Sequence, residues 1–122
     1  RERSRFHDTR FEPAVRAMFP YLPGRAKPPD GYLIEQSARV SALLWQLSEM
    51  LSGTPQAGGS LTLADCGFPI TFAWIDAMTP LMALPIEWPE DVLSYRDRLN
   101  AIQAVAVELE EYGPKLTEFL GN

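Results

Sequence analysis

The sequence predicts an all-α fold, five helices in one domain. Three observations support that reading. Apolar residues recur at helical spacing through most of the chain. No stretch shows sustained strand alternation bounded by turn residues. The stretch Ser60-Leu61-Thr62-Leu63-Ala64-Asp65 places a helix-start signal ahead of Cys66 to Ile75, a run almost without charge. Thr62 and Asp65 have capping-box spacing: the Thr hydroxyl accepts from the Asp65 amide, and the Asp65 carboxylate accepts from the Thr62 amide. Asp65 also brings negative charge to the positive end of the helix dipole. Leu61 stands where it can contact Cys66 as a hydrophobic staple. A capped helix that is apolar nearly all round belongs at the centre of a core.

Taken in order, residues 1–22 read as a first helix. Phe11, Val15, Met18 and Leu22 fall at i, i+4, i+7 and i+11 on one stripe. Pro13 should either kink this helix or mark the first turn of one that begins near residue 12. Tyr21-Leu22-Pro23-Gly24 ends it, and Arg25 to Gly31 is a Pro-rich loop. Asp30 is positioned to cap a second helix over 31–52, with Leu33, Val40, Leu43, Leu44, Leu47, Met50 and Leu51 at helical spacing and Gly53 behind it. The third helix runs from about Leu63 to Met78, with a bend expected at Pro69. Residues 79–88 are irregular. Pro89, Glu90 and Asp91 suit the start of a fourth helix, whose buried side is Val92, Leu99 and Ile102. The last stripe is Ile102, Val105, Leu109, Tyr112, Leu116 and Phe119, and Gly113-Pro114 is expected to break it.

Composition narrows the function classes. With 122 residues, 46% hydrophobic and 22% charged, the chain is an ordinary globular domain. No run of apolar residues is long enough to span a membrane, and no signal-peptide pattern is present. The chain opens at Arg1 without Met, as a piece of a longer polypeptide would. One cysteine excludes an internal disulfide and fits a reducing, cytoplasmic setting. One His and one Cys leave no ligand set for a structural zinc site. A net charge of −5 argues against nucleic acid as partner. The charge is uneven: residues 1–27 hold seven bases against three acids (+4), and the remainder four bases against thirteen acids (−9). The basic first helix is either a solvated face or a surface that attracts an anionic ligand.

Individual groups offer little chemistry of their own. Cys66 reads as a buried structural thiol and His7 as a partly buried structural histidine. Capping accounts for Asp65, so no carboxylate pair stands out as an acid–base dyad. Trp74 belongs to the core, and Trp88, in a loop, is the freest tryptophan. The first helix carries a second cluster. At a uniform 100° per residue, Phe6, Arg10, Pro13 and Ala17 lie within about 60° of one another, on a different side from the core stripe. A mostly apolar stripe with one cation is what a substrate-pocket wall or an interface needs. These four residues are therefore the candidate substrate-binding set.

Three stretches together resemble a known family. Ser60 to Asp65 resembles the N-capping box of the C-terminal helical domain of cytosolic glutathione S-transferases. Ile102-Gln103-Ala104-Val105-Ala106-Val107-Glu108-Leu109-Glu110-Glu111-Tyr112 looks like the opening of that domain's last long helix. Arg3-Ser4-Arg5-Phe6-His7-Asp8-Thr9-Arg10-Phe11-Glu12-Pro13 looks like its first helix in bacterial members. The resemblance implies a five-helix bundle that supplies the hydrophobic co-substrate pocket and part of a homodimer interface. It also implies a thioredoxin-like N-terminal domain, absent from this chain, that binds glutathione and carries the Ser, Tyr or Cys activating its thiol. No catalytic residue is carried over, and no metal is implied. The expected ligands are glutathione, held mainly by the other domain, and a hydrophobic small molecule. A second reading from the same resemblance is a non-catalytic protein-interaction module, as occurs in a translation elongation factor subunit and some aminoacyl-tRNA synthetases.

Overall fold

The computed structural model describes residues 2–52 and 67–121, which form five helices and, among the described residues, no strand. They are α1 (residues 2–16), α2 (Tyr32–Ser52), α3 (Phe68–Met82), α4 (Glu90–Ala101) and α5 (Gln103–Gly121). The capping-box residues Thr62 and Asp65, with Leu61, Cys66 and Gly53, lie outside the described residues.

Helix α1 is not uniform. Glu2–Phe6 is α-helical, His7–Phe11 widens into a π turn, and Glu12–Arg16 returns to α geometry. The widening shows in the Glu12 amide, which donates to the His7 carbonyl five residues back. Pro13 follows in the first α turn after it. A proline has no N–H for the carbonyl four residues back and its ring crowds that carbonyl; a wider turn just ahead removes the conflict. The π turn also resets the angular register. In a uniform α-helix Phe6 and Phe11 would point about 140° apart. Here their rings stack, with centroids 6.2 Å apart and planes at 12°. Phe6 is buried in the core at 5% exposure. This corrects the expectation that Phe6 shares a separate face with Arg10, Pro13 and Ala17: uniform helical arithmetic does not carry across a π turn.

The stripe Phe11, Val15, Met18 and Leu22 is buried as expected. The helix itself stops at Arg16, earlier than expected, and a 3-10 turn covers Phe19–Tyr21. Pro20 cannot extend the α ladder, and Leu22 is extended ahead of Pro23 (φ −61°, ψ 155°). In α2 the cap position belongs to Gly31 rather than Asp30. Gly31 has φ +78°, and its carbonyl accepts from the Glu35 amide. Val40, Leu44, Leu47 and Leu51 are buried, and Leu33, Leu43 and Met50 pack beside them.

Among the described residues helix α3 begins at Phe68, with Gly67 before it; the expected start near Leu63 lies outside them. Pro69 therefore sits in the first turn, where the missing N–H has no partner to lose, and the expected bend there is not required. The helix packs against α1, α4 and α5 and buries Phe68, Phe72, Trp74, Ile75 and Met78. It continues past Met78 to Met82 because Pro80, in the last turn, removes only one ladder bond. Ala83 stops it in the left-handed region (φ 53°, ψ 49°), and the amides of Ala83 and Leu84 both donate to the Thr79 carbonyl.

Pro89 is extended and directly precedes α4, accepting from the amides of Val92 and Leu93. Trp88 is not free: its ring meets Phe72 at 5.4 Å, and the Arg96 guanidinium lies 5.1 Å from it. Val92, Tyr95 and Leu99 are the buried side of α4. Ile102, expected on two stripes, is the extended residue that separates α4 from α5 (φ −71°, ψ 128°). The expected break at Gly113-Pro114 does not occur; α5 runs through both residues. An interior proline costs about 3 kcal/mol of helix propensity. Tertiary contacts on both sides hold the helix against that cost. Trp74 Nε1 donates to the Tyr112 hydroxyl at 3.0 Å. Phe119 packs on Trp74 at 5.2 Å and on Phe19 at 5.8 Å. Arg25 stacks over Phe119 at 4.1 Å and donates to its carbonyl at 3.2 Å.

Candidate functional site

A groove runs between α1 and α2. Its α1 wall is Arg10, Pro13, Ala14 and Ala17, spaced i, i+3, i+4 and i+7, with Thr9 at one end. Its α2 wall is Gln36, Arg39 and Leu43, spaced i, i+3 and i+7. The cavity is about 670 Å³, within the usual range for small-molecule sites. Three of the four candidate substrate-binding residues, Arg10, Pro13 and Ala17, meet here. Phe6 does not line the groove; it supports α1 from the core side.

The walls are tied together where α1 ends. The Met18 amide turns to the Val15 carbonyl, which leaves the Ala14 carbonyl without its usual helical donor. Gln36 Nε2 donates to it at 2.8 Å. The Ala17 carbonyl likewise accepts from the Tyr32 hydroxyl at 3.1 Å. Two side chains of α2 thus cap the end of α1 and hold the groove open at a set width. Small residues at Ala14 and Ala17 leave the space that larger side chains would fill.

The groove is cationic. Arg10 and Arg39 are exposed, and neither forms an ion pair with a described residue. Nearby acids on α1 are engaged elsewhere: Glu12 pairs with Arg16 at 3.0 Å, and Asp8 with His7 at 2.9 Å. The Thr9 hydroxyl donates to the Arg5 carbonyl at 2.7 Å, so its proton is committed to the helix. Gln36, Arg39 and Leu43 were not among the sequence candidates. Their spacing was visible in the sequence, but that they face α1 depends on how the two helices pack.

A second constellation imitates a catalytic chain. Asp8 Oδ1 accepts from His7 Nδ1 at 2.9 Å, and His7 Nε2 meets Thr71 Oγ1 at 2.7 Å. Carboxylate, imidazole and hydroxyl in series are the parts of a nucleophile-activating triad. Here His7 and Thr71 are buried, at 7% and 4% exposure, and no described cavity reaches them. Thr71 Oγ1 also lies 3.2 Å from the Gly67 carbonyl, to which it can donate. The imidazole packs edge-on against Phe68 at 4.9 Å. The chain therefore clasps the π turn of α1 to the first turn of α3. His7 is thus a buried packing residue, where the sequence predicted a partly buried structural histidine.

A smaller concavity of about 370 Å³ lies between the Lys27–Gly31 loop and the end of α3, beside the exposed Ile34. It contains none of the candidate residues. Among the described residues no group of three or more His, Cys, Asp or Glu is placed to hold a metal ion, and no helix is long and apolar enough to cross a membrane. No protein-family model, curated protein or solved structure matches the chain.

Proposed function

We propose that this chain is the helical half of a glutathione S-transferase-type protein. Its role is to shape the pocket for a hydrophobic electrophile and to share in a homodimer interface in the cytoplasm. Glutathione is held mainly by a thioredoxin-like partner domain, whose Ser, Tyr or Cys activates the thiol for attack on the electrophile. The helical chain contributes binding and orientation rather than a nucleophile. The observation that supports this reading is the convergence of Arg10, Pro13 and Ala17 on one groove outside the core. The family motifs in the sequence and the five-helix order agree with it. A non-catalytic interaction module is the second reading, and the enclosure of His7 and Thr71 favours it over catalysis by this chain alone.

The test is glutathione conjugation to a generic electrophile. It is measured on the 122-residue chain and on the product of the complete reading frame that encodes it. Turnover is expected only in the second. Turnover by the chain alone would remove the chemistry from the partner domain, and none in either would favour the interaction module.

A further inference from the structure

We propose that the α1–α2 groove binds an amphipathic organic anion, a carboxylate or sulfonate on an apolar body, with Arg10 and Arg39 as its paired cations. This deepens the reading of the groove as a ligand site, and it requires no glutathione chemistry. Four features lead to it. Two arginines on opposite helices line one cavity, and among the described residues no acidic one lines it with them. Like charges placed together across a groove repel, and an anion between them reverses the sign of that interaction. The guanidinium fork matches a carboxylate or sulfonate in geometry as well as charge. Pro13, Ala14, Ala17 and Leu43 add apolar lining to the same groove, which a bare inorganic anion would leave wet.

The site is also built in advance. The Gln36–Ala14 and Tyr32–Ala17 hydrogen bonds fix the wall separation without engaging either arginine. A ligand entering such a groove has little backbone to order, so its contacts are not offset by folding of the site. The overall charge of −5 makes the local cationic groove more selective in where an anion settles, not less.

The experiment uses the purified chain with dodecanoate below its micelle concentration, followed by calorimetry, and with 8-anilinonaphthalene-1-sulfonate, followed by fluorescence. Saturable one-to-one binding of both is expected, weakened by 0.5 M NaCl. Dodecanol and inorganic phosphate each lack one half of the recognition and should bind at least about ten-fold more weakly, since a charge-assisted contact is worth that factor or more. Arg10→Gln and Arg39→Gln should each weaken dodecanoate, and the double variant should do so by at least about ten-fold. Both arginines are exposed, so thermal melts of these variants should match the unaltered chain. Ala17→Phe, at another exposed position, should block the groove while the fold persists. The proposal is overturned if dodecanoate does not saturate, if dodecanol binds as well as dodecanoate, or if the double variant binds normally. It is equally overturned if sedimentation shows a dimer that the arginine variants dissociate while no anion binds, which would make the groove a contact between copies. None of these outcomes depends on transferase turnover, so the two readings fail separately.

Discussion

Replacing Gly67 by Ala is a direct test of the clasp between α1 and α3. Gly67 has φ −85°, which any residue adopts, so backbone conformation does not demand glycine here. Space does. A Cβ at this position would stand 2.6 Å from Nδ1 and 2.8 Å from Nε2 of His7. That is about 1 Å short of ordinary van der Waals contact. The imidazole cannot readily give way: Asp8 and Thr71 hold its two nitrogens, and Phe68 packs against it. Overpacking of this kind costs about 1–3 kcal/mol. Displacing the ring from Thr71 adds about 1 kcal/mol for the lost hydrogen bond. Reduced freedom of the unfolded chain returns about 0.4–1 kcal/mol. The net loss is about 2 kcal/mol. For 122 residues, with about 2.1 cal/mol/K of unfolding entropy each, Tm should fall by about 8 °C. Calorimetric melts of Gly67→Ala, His7→Ala and the double variant measure it. Without the ring the new methyl meets no obstacle, so Gly67→Ala should be harmless in the His7→Ala background, giving a coupling of at least about 1 kcal/mol. A Gly67→Ala protein melting within a degree of the unaltered chain, or strictly additive losses, would refute the clasp.

Other outcomes follow from the same packing. Phe6→Ala removes a buried ring stacked on Phe11 and should cost about 3–4 kcal/mol in urea unfolding; a loss below 1 kcal/mol would return Phe6 to the surface. Gly113→Ala should stabilise by about 0.5–1 kcal/mol, because Gly113 lies inside α5 and a Cβ there meets nothing within 4 Å. A loss of stability would mean that the helix is interrupted there after all. Burial pushes the Asp76 carboxyl above its usual pKa of 3.8, despite the Arg96 guanidinium 3.2 Å away. Its stabilising effect is present below the unfolded value and lost as pH rises through the raised folded one. Asp76→Asn should therefore flatten the fall in stability from pH 3.8 upward and leave stability at pH 7 within about 0.5 kcal/mol, since a half-exposed ion pair contributes little. A drop of more than 1.5 kcal/mol at pH 7 would show that the pair outweighs the burial.

The sequence by itself determined the fold class and most of the core. Stripes at 3.6-residue spacing predicted burial of Phe11, Val15, Met18 and Leu22 and of Val40, Leu44, Leu47 and Leu51, because one apolar face must leave water whatever the topology. It also picked out Arg10, Pro13 and Ala17 as a shared face. Tertiary structure decided the rest. The π turn before Pro13 changed the angle per residue, so Phe6 joined the core while its expected companions stayed outside. Helix α5 ran through Gly113-Pro114 because Trp74 holds Tyr112 ahead of the proline while Trp74, Phe19 and Arg25 grip Phe119 beyond it, contacts that local propensity does not include. The groove needed α2 to supply Gln36, Arg39 and Leu43. A helix presents several faces, and only the packing of α1 against α2 selects the one that completes a site.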